Sequence, residues 1–425
     1  MNVWLITTGE PLPTDEGCDR YLRSVILADL MSRNGHDVTF WSSTFDHVKK
    51  AHRFTTDTEV DLNTNHRLKL LHAGGYRQNV SLRRIWNHRG VARKFREQAA
   101  RAPRPDVILC SLPTLELCVE ATRYGRREQV PVVLDVRDLW PDLFLDLVPE
   151  LGRPVARMLA APCFRQAQEA CANASAITGT TAEYVQWALG YAGRPATDQD
   201  RHFPMGYVAS EPTRHQQLSA LEFWAGHGIH SDAEQFVACW FGMMGRHSEL
   251  DTLIEAAKRL ADELPELRIV LCGDGPYRDQ LQRQAAGCPN VVLPGWVNAD
   301  QIWQLMRLSS VGLTPYVSNK NYIHNLTNKP VEYLSAGLPI VSSLQGVLAR
   351  LLENNDCGIT YGNRNVEQLI WAIRSLATDR QRLSQMAQNA DQLYRDQFVA
   401  ERVYTQMQDY LLDMAGVDLV LPQAA

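Results

Sequence analysis

Residues 236–260 read FVACWFGMMGRHSELDTLIEAAKRL, and this stretch decides the fold. It begins with an uninterrupted apolar run from Phe236 to Phe241, passes through a loop with two glycines, and ends in a helical pattern from Leu250 to Leu260. A strand that is apolar throughout, without alternation, is typical of a parallel sheet covered by helices on both faces. The stretch therefore predicts one β-α unit of a doubly wound α/β domain.

The same rhythm continues on both sides of this stretch. Further strands are predicted at 3–7, 38–41, 107–110, 132–134, 176–178, 268–272, 291–293, 311–314 and 340–342. A largely polar stretch from about 190 to 235 interrupts the rhythm. The chain is therefore predicted to be α/β, with two Rossmann-like parallel-sheet domains, 1–206 and 207–398, that face each other across a cleft. A last helix, at about 399–416, has no strand after it.

Composition excludes several classes of protein. The 425 residues carry 43 Lys and Arg against 48 Asp and Glu, a net charge of −5 that disfavours a nucleic-acid binder. No apolar segment reaches the length of a membrane span, and the amino terminus does not resemble a signal peptide. The nine cysteines form no C-x-x-C pair, and Cys110, Cys239 and Cys272 lie in apolar runs. Reduced, buried thiols in a cytoplasmic protein are predicted, without a zinc site.

The loop after the strand at 236–241 is a candidate binding segment. Gly242 and Gly245 bend the backbone, and Arg246 supplies a planar cation suited to phosphate oxygens. The simpler interpretation is an ordinary β-α turn with an arginine in solvent. The position at the carboxyl end of a strand favours a site.

A second candidate segment runs from 325 to 339. Thr327 or Asn328 is suited to cap a short helix, whose unpaired N–H groups favour an anion at its amino end. Lys329 adds a positive charge, and Glu332 is an acceptor suited to a pair of ribose hydroxyls. Compensation of the helix dipole is the simpler role of Glu332.

The first half has two candidate segments of its own. The loop 7–17 contains Gly9 and Gly17 and leads from a strand into a helix, so it suits an approaching anion, although it is not G-x-G-x-x-G. The segment 134–142 brings three carboxylates, Arg137 and a Trp-Pro pair to the end of a buried strand. Structural ion pairing and a functional role are equally consistent with that segment.

Five motifs in order carry a resemblance to a known family. They are Gly-x-x-Gly-Arg at 242–246, CGDGPY at 272–277, NVVLPGW at 290–296, NKPVEYLSAGLPIV at 328–341 and RDLWPD at 137–142. Together they resemble the GT-B-fold nucleotide-sugar glycosyltransferases of family 4. The segment 137–142 resembles the branch that builds bacterial surface polysaccharides and handles N-acetylated deoxysugars.

The resemblance implies a retaining transferase that moves a sugar from a UDP-sugar to a saccharide or lipid-linked saccharide, without a metal or other cofactor. It implies that the last helix crosses back onto the first domain. The implied catalytic residues are Asp138, Arg246 and Lys329, with the two cations on the diphosphate. The implied donor-binding residues are Gly9, Gly17, Gly245, Trp296, Val297, His324, Thr327, Asn328 and Glu332. The implied acceptor residues are Arg20 and Arg137.

The chain also departs from the family pattern. The family's first Glu of Glu-x7-Glu is His324 here, which either takes that role or is a surface histidine. Arg137 stands where many members have His, so a catalytic histidine is not assigned. Two alternatives therefore stay open: a GT-B-like sugar-nucleotide epimerase, and a non-catalytic nucleotide-binding subunit.

A basic stretch at 77–104 has nine Lys or Arg and one acid, Glu97, with Trp86 and other apolar residues between them. Such a stretch suits an anionic membrane surface or an anionic acceptor. It predicts a cytoplasmic protein held peripherally at the inner membrane face. A solvated helix face is the equally consistent alternative.

Overall fold

The computed structural model describes residues 1–15, 21–146, 148–231 and 234–416. The chain divides into two compact units: residues 1–204 together with the helix that begins at 400, and residues 205–399. The sequence predicts the boundary between the two domains at 206/207. Gly17 and Arg20 lie outside the described residues.

The elements of the first two hundred residues alternate between strands and helices. The strands are β1 (Asn2–Ile6), β2 (Asp37–Ser43), β3 (Phe45–Asp46), β4 (Ala51–His52), β5 (Thr58–Asn63), β6 (His66–Leu71), β7 (Val107–Leu112), β8 (Val132–Val136), β9 (Ala176–Gly179) and β10 (Arg201–His202). The α-helices are α1 (Arg23–Arg33), α2 (Leu82–Ala99), α3 (Leu115–Glu128), α4 (Arg153–Leu159), α5 (Ala161–Asn173) and α6 (Ala182–Ala192).

The remaining elements follow the same pattern. The strands are β11 (Phe236–Met243), β12 (Leu267–Asp274), β13 (Val291–Gly295), β14 (Val311–Thr314), β15 (Ile340–Ser342) and β16 (Gly358–Thr360). The helices are α7 (Arg214–Gly226), α8 (Leu250–Leu260), α9 (Arg278–Ala285), α10 (Ala299–Leu308), α11 (Lys320–Ile323), α12 (Asn328–Ser335), α13 (Val347–Asn354), α14 (Val366–Thr378), α15 (Arg380–Gln397) and α16 (Ala400–Ala415).

The main sheet of the first unit has the order β10-β9-β8-β7-β1-β2-β6-β5. Its strands pair in parallel except for β5, which runs antiparallel to β6. Alternate residues of β1 face opposite layers: Trp4 packs with α2 and α3, while Leu5 packs with α1 and α16. Asn34, the C-cap of α1, donates to Gln408 of α16 at 2.8 Å. The last helix is therefore part of this unit's core.

The sheet of the second unit has the order β13-β12-β11-β14-β15-β16 and is parallel throughout the described residues. Trp240 of β11 faces α8 and α14, and its neighbour Phe241 faces α12 and α13. Both faces of the sheet are thus buried, as the uninterrupted apolar runs predict. The predicted α/β fold with two Rossmann-like parallel-sheet units is confirmed.

The structure differs from the sequence prediction mainly in polar segments. The interrupted stretch 190–235 contains α7, which begins with a reciprocal capping box between Thr213 and Gln216. Its Trp224 is fully buried and donates to the Gln301 carbonyl at 2.8 Å. The hairpin of β5 and β6 was also not predicted, because its outer strand alternates between exposed and half-buried residues.

Cys110, Cys239 and Cys272 are buried free thiols, as predicted. None of the helices in the described ranges has the length and apolar character needed to cross a bilayer.

Candidate functional site

The loop between β11 and α8 is fixed by its neighbours on the sheet. Met244 N–H donates to the Asp274 carbonyl at 2.8 Å, and Val317 N–H donates to the His247 carbonyl at 3.1 Å. Gly273, opposite Gly242 in the β11–β12 pairing, has a φ of +135°, and a Cβ there would lie 1.8 Å from the Gly242 carbonyl oxygen. The glycines at 242 and 273 therefore let two strand ends approach each other closely.

Lys329 of α12 lies directly over the backbone of Gly242. A Cβ on Gly242, whose φ is +153°, would lie 2.7 Å from both Cε and Nζ of Lys329. The ammonium donates to the Tyr316 hydroxyl at 3.1 Å and lies 5.6 Å from the Trp240 ring centroid and 5.3 Å from that of Tyr316. Aromatic faces attract such a cation without neutralising it. Lys329 is thus held at the carboxyl end of β11 with its charge available to an anion.

The amino end of α12 faces the same region. Its N-cap is Thr327, but no side-chain cap hydrogen bond forms, and the buried Oγ1 of Thr327 has no hydrogen-bond partner in the described part of the chain. The first N–H groups of the helix, beginning at Asn328, therefore lack the usual side-chain acceptor. Tyr333 anchors the helix, because its ring lies over Gly312 and its hydroxyl donates toward the carbonyls of Cys239 and Leu313.

Aromatic rings connect Lys329 with the Arg246 loop. Tyr316 stacks on Tyr322 with ring centroids 4.9 Å apart, and Tyr322 lies 6.2 Å from the His247 ring. Arg246 is exposed, and within the described ranges its side chain makes no hydrogen bond or ion pair. Burial lowers the pKa of His247, and the adjacent Arg246 lowers it further. His324 lies half-buried at the end of α11, close in sequence to Tyr322.

The other predicted donor residues lie at the same edge of this unit. Glu332, in α12, is only 2% exposed. Trp296 follows β13, two strands from β11, and is 73% exposed, whereas Val297 is buried. Gly245 is buried in the β11–α8 loop, and a Cβ there would meet no atom within 4 Å. The second unit therefore brings together the loop 242–246, Lys329 and the start of α12, with Trp296 further along the edge.

In the first unit, Arg137 belongs to a network of buried ion pairs. Its guanidinium pairs with Glu10, donates to Asp135 at 3.0 Å and donates to the Ser24 hydroxyl at 2.8 Å. Arg23 donates to Asp135 from Nε at 3.0 Å and from Nη2 at 3.1 Å, and both of these residues are fully buried. Burial alone would raise the pKa of Asp135, but the two guanidiniums hold it below its ordinary value. Structural ion pairing, one of the two interpretations of the segment 134–142, therefore accounts for these contacts of Arg137.

A cavity of about 280 Å³ opens at the carboxyl ends of β1, β2, β7 and β8. Gly9, Arg137 and Asp138 line it, so the first unit brings these three predicted residues together. Four of the residues that line it, His47, Tyr76, Arg84 and His88, were not predicted as site residues. Arg84 was predicted only as part of the basic stretch. Its position four residues before His88, on the same face of a helix, is the sequence pattern that could have indicated a site.

Tyr316 and Tyr322 of the second unit were also missed. Tyr316 follows the predicted strand 311–314 after a single proline, so it too lies at the carboxyl end of a strand. A search for aromatic residues just beyond each predicted strand would have found it.

Comparisons with known proteins match the second unit by sequence and nearly the whole chain by fold. The family model described as Glycosyl transferases group 1 matches residues 228–393, within the second unit. A sulfoquinovosyl transferase of Arabidopsis thaliana is 29% identical over 131 residues, which is 30% of this chain and 24% of that protein. The chain thus matches about a quarter of that relative's length.

Solved structures match nearly the whole chain. Anabaena HepE in complex with UDP-glucose has a TM-score of 0.62 at 18% identity and covers 97% of this chain and 100% of its own. WaaG, a glycosyltransferase involved in lipopolysaccharide biosynthesis, has a TM-score of 0.60 at 15% identity and covers 97% and 99%. The chain therefore has the α/β fold of the GT-B glycosyltransferases, and residues 228–393 match the glycosyl transferases group 1 family.

Proposed function

We propose that this chain is a retaining glycosyltransferase that moves a sugar from a nucleotide-sugar donor to a saccharide or lipid-linked saccharide in surface polysaccharide biosynthesis. The observation that carries the proposal is Lys329, held over Gly242 at the amino end of α12 by two aromatic faces and the Tyr316 hydroxyl. A diphosphate is the ligand that such a cation and uncapped helix end fit best.

In this proposal the second unit holds the donor. Lys329, Arg246 and the N–H groups at the start of α12 bind the diphosphate, with Gly245, Thr327 and Asn328 around it. Glu332 accepts from the ribose, Trp296 and Val297 line the base, and His324 contacts the sugar. The exposed face of Trp296 supports its role, since a base stacks well on a free indole.

The chemistry needs charge stabilisation more than it needs an acid or a base from the protein. The bond between the anomeric carbon and the diphosphate breaks, and its electron pair stays on the diphosphate oxygen. The acceptor hydroxyl forms the new glycosidic bond on the same face, and its proton passes to the departing diphosphate. Lys329, Arg246 and the α12 dipole stabilise the negative charge that develops on the leaving group.

We propose a UDP-sugar as donor and no metal or other cofactor. HepE, solved with UDP-glucose, supports the uridine nucleotide. The two side-chain cations and the helix end supply positive charge that a metal ion would otherwise provide. The acceptor is assigned to the first unit, near Asp138, with Gly9 beside it on the cavity wall.

We also propose a peripheral position on an anionic membrane at the inner membrane face. Leu82 and Trp86 on α2 are exposed next to Arg83 and Arg89. Leu151, just before α4, and Val155, Met158 and Leu159 of α4 are exposed as well. Both segments adjoin α5: α4 contacts α5, and Arg89 and Arg93 of α2 line a surface groove together with Gln166 and Glu169 of α5. Apolar side chains among arginines suit an anionic lipid surface.

The first experiment measures thermal stabilisation by UDP, GDP, ADP and dTDP sugars and by the free diphosphates. UDP is expected to stabilise the wild type. Lys329→Ala is expected to weaken UDP binding by about 1.5–3 kcal/mol through the loss of charged hydrogen bonds, and Lys258→Ala, which removes an exposed lysine of α8, is expected to leave it unchanged.

Product analysis then separates the alternatives. Transfer to an added saccharide acceptor with retained anomeric configuration, unaffected by a metal chelator, supports the proposal. An isomerised nucleotide sugar in the absence of acceptor indicates an epimerase. Nucleotide binding without transfer or donor hydrolysis indicates a binding subunit. Wild-type UDP affinity in Lys329→Ala would remove that residue from the donor site.

A further inference from the structure

A cluster of basic and aromatic residues forms one wall of the first unit's cavity, and the proposed reaction does not use it. The Arg84 cluster consists of His47, Lys50, Tyr76, Arg84 and His88. His47, Tyr76, Arg84 and His88 line the cavity, and Lys50 adjoins it through His47 and Tyr76. The cluster brings together residues from the β3–β4 turn, the segment after β6 and the first turns of α2.

Arg84 is a half-buried cation that packs against aromatic rings. Its guanidinium lies 4.5 Å from the Trp140 ring centroid and 5.7 Å from that of Tyr76. It donates to the Asn79 carbonyl at 2.9 Å and to His88 Nε2 at 3.3 Å. Within the described ranges no carboxylate forms an ion pair with it. Burial lowers the pKa of Arg84, and Tyr76, Asp138 and Glu116 partly oppose this shift.

Lys50 is the second cation of the cluster. Its ammonium donates to the Asn79 side-chain oxygen and to His47 Nδ1, at 3.4 Å for the latter, and lies 4.9 Å from the Tyr76 ring centroid. Burial and then the charge of Arg84 lower the pKa of Lys50, and Asp46 partly opposes this shift. The two cations therefore repel each other across Tyr76 and Asn79, which an anion between them would relieve.

His47 is neutral and contributes a donor. Burial first, and then Arg84 and Lys50, lower its pKa to about 4. Its Nδ1 accepts from Lys50 and lies 2.7 Å from the Tyr76 hydroxyl, which assigns the ring proton to Nε2. His47 thus offers an N–H, and not a second acceptor, to a ligand in the cavity.

In the described residues no carboxylate near the cavity forms an ion pair with Arg84 or Lys50, and Asp46, beside Lys50 in the chain, pairs with Arg53 at 3.4 Å. Glu10 pairs with Arg137 and accepts from Ser24 N–H at 3.2 Å, so its charge is committed to the ion-pair network. Glu116 lies 3.7 Å from His88, on the far side of that ring from Arg84. Asp138 is the remaining lining carboxylate. A bound dianion is favoured by Arg84, Lys50 and the His47 N–H together.

We propose that the Arg84 cluster is a phosphate subsite, which holds a phosphate group of the sugar acceptor. As an acceptor subsite it rests on the proposed glycosyl transfer, whereas phosphate binding itself does not. The phosphate belongs either to a lipid or to a soluble sugar phosphate. The first turns of α2 favour the lipid, since Leu82 and Trp86 are exposed within two residues of Arg84.

The test titrates the full chain with glucose 1-phosphate and with dodecyl phosphate, and with glucose and dodecanol as their uncharged counterparts, by calorimetry. Both phosphates are expected to bind more tightly than their counterparts, and the tighter of the two identifies the source. Arg84→Gln and Lys50→Gln are expected to weaken phosphate binding at least about tenfold, with Arg84→Lys intermediate. Arg101→Gln, at an exposed arginine just after α2 and with the same charge change, is expected to stay within about twofold of wild type.

UDP binding is measured on every variant as an independent readout. Unchanged UDP binding in Arg84→Gln with lost phosphate binding supports the subsite and shows that the variant is folded. Lys329→Ala is expected to keep its phosphate binding, which assigns the phosphate to the first unit. The inference would be overturned if neither phosphate bound more tightly than its uncharged counterpart, or if the binding of both were equal in wild type, Arg84→Gln and Lys50→Gln. Failure of UDP to bind the wild type would overturn the proposed function and leave the phosphate result standing.

Discussion

At the scale of single residues, the absence of a Cβ at Gly242 makes room for Lys329, the cation proposed to bind the nucleotide-sugar donor. Gly242 was predicted as a bend in a loop, yet the structure gives it a further role, because Lys329 occupies the space a side chain would fill. The sequence predicted Lys329 and Gly242 as parts of two separate candidate segments. Their contact could not be predicted, because 87 residues separate them in the chain. The pairing of β11 with β14, the strand that precedes α11 and α12, brings the two segments together.

Gly242→Ala is expected to fold but to bind UDP more weakly, because its Cβ displaces the flexible end of Lys329. The positive φ adds a cost of about 1–3 kcal/mol in unfolding free energy. Gly273→Ala is expected to lose more stability, since its Cβ meets the Gly242 carbonyl oxygen, which cannot move aside. Thermal unfolding and UDP calorimetry measure both effects. The control is Gly226→Ala at the end of α7, where a Cβ meets no atom within 4 Å. Wild-type UDP affinity in Gly242→Ala would contradict this account.

The buried pair of Arg23 and Asp135 gives a second prediction at this scale. Asp135→Asn leaves the fully buried Arg23 without its counter-ion, and we expect a loss of about 3–5 kcal/mol in unfolding free energy. Asp61→Asn breaks an exposed pair with Arg67 and is expected to cost at most about 1 kcal/mol. Hydrogen exchange at the amides of β8, with those of β11 as internal reference, measures the local stability. Equal protection in the two variants would show that the pair adds nothing.

At the scale of elements, the strands were predicted well and the polar helices poorly. The strands at 311–314 and 340–342 and the helix at 250–260 have the predicted bounds, because an apolar run or stripe both marks the element and forms its buried face. Helix α7 was missed because it buries only Ala220 and Trp224, so its apolar pattern is weak. The Arg84 cluster was missed for a related reason: α2 buries one face, and the sequence alone does not say which arginine lies on it.

The caps of α7 and α12 give matched variants. Thr213→Val removes a capping box and is expected to cost about 1 kcal/mol. Thr327→Val removes a hydroxyl that makes no cap hydrogen bond, so it is expected to cost little or nothing in the free protein while weakening UDP binding. Urea unfolding without UDP measures the free energy of unfolding of each variant, and the gain in that free energy on adding UDP measures UDP binding. A loss of stability in Thr327→Val as large as that in Thr213→Val would indicate an ordinary cap.

At the scale of the whole molecule, a charge of −5 hides a local concentration of arginines and exposed apolar side chains. The basic stretch was predicted as one surface, but the structure divides it. Arg84 lines the cavity, Lys94 pairs with Asp57 at 2.7 Å, and Phe95 is in the core, whereas Arg83, Arg89 and Arg93 stay exposed. Sequence composition could locate the charge excess but not separate its inward and outward members, and it gave no sign of the exposed apolar residues on α4.

This division determines how membrane binding is tested. The wild type is expected to float with vesicles that contain anionic lipid, and less so as salt rises, because screening shortens the reach of surface charges to about 8 Å at physiological ionic strength. Arg83→Glu, Arg89→Glu and Arg93→Glu combined should abolish flotation. Trp86→Ser with Leu151→Ser should reduce it at every salt concentration, since apolar insertion is not screened.

The control reverses the charge of Arg283, Arg380 and Arg382, which are exposed in the second unit and give the same change in net charge. If that control loses flotation equally, net charge is responsible and the surface formed by α2 and residues 151–159 is not.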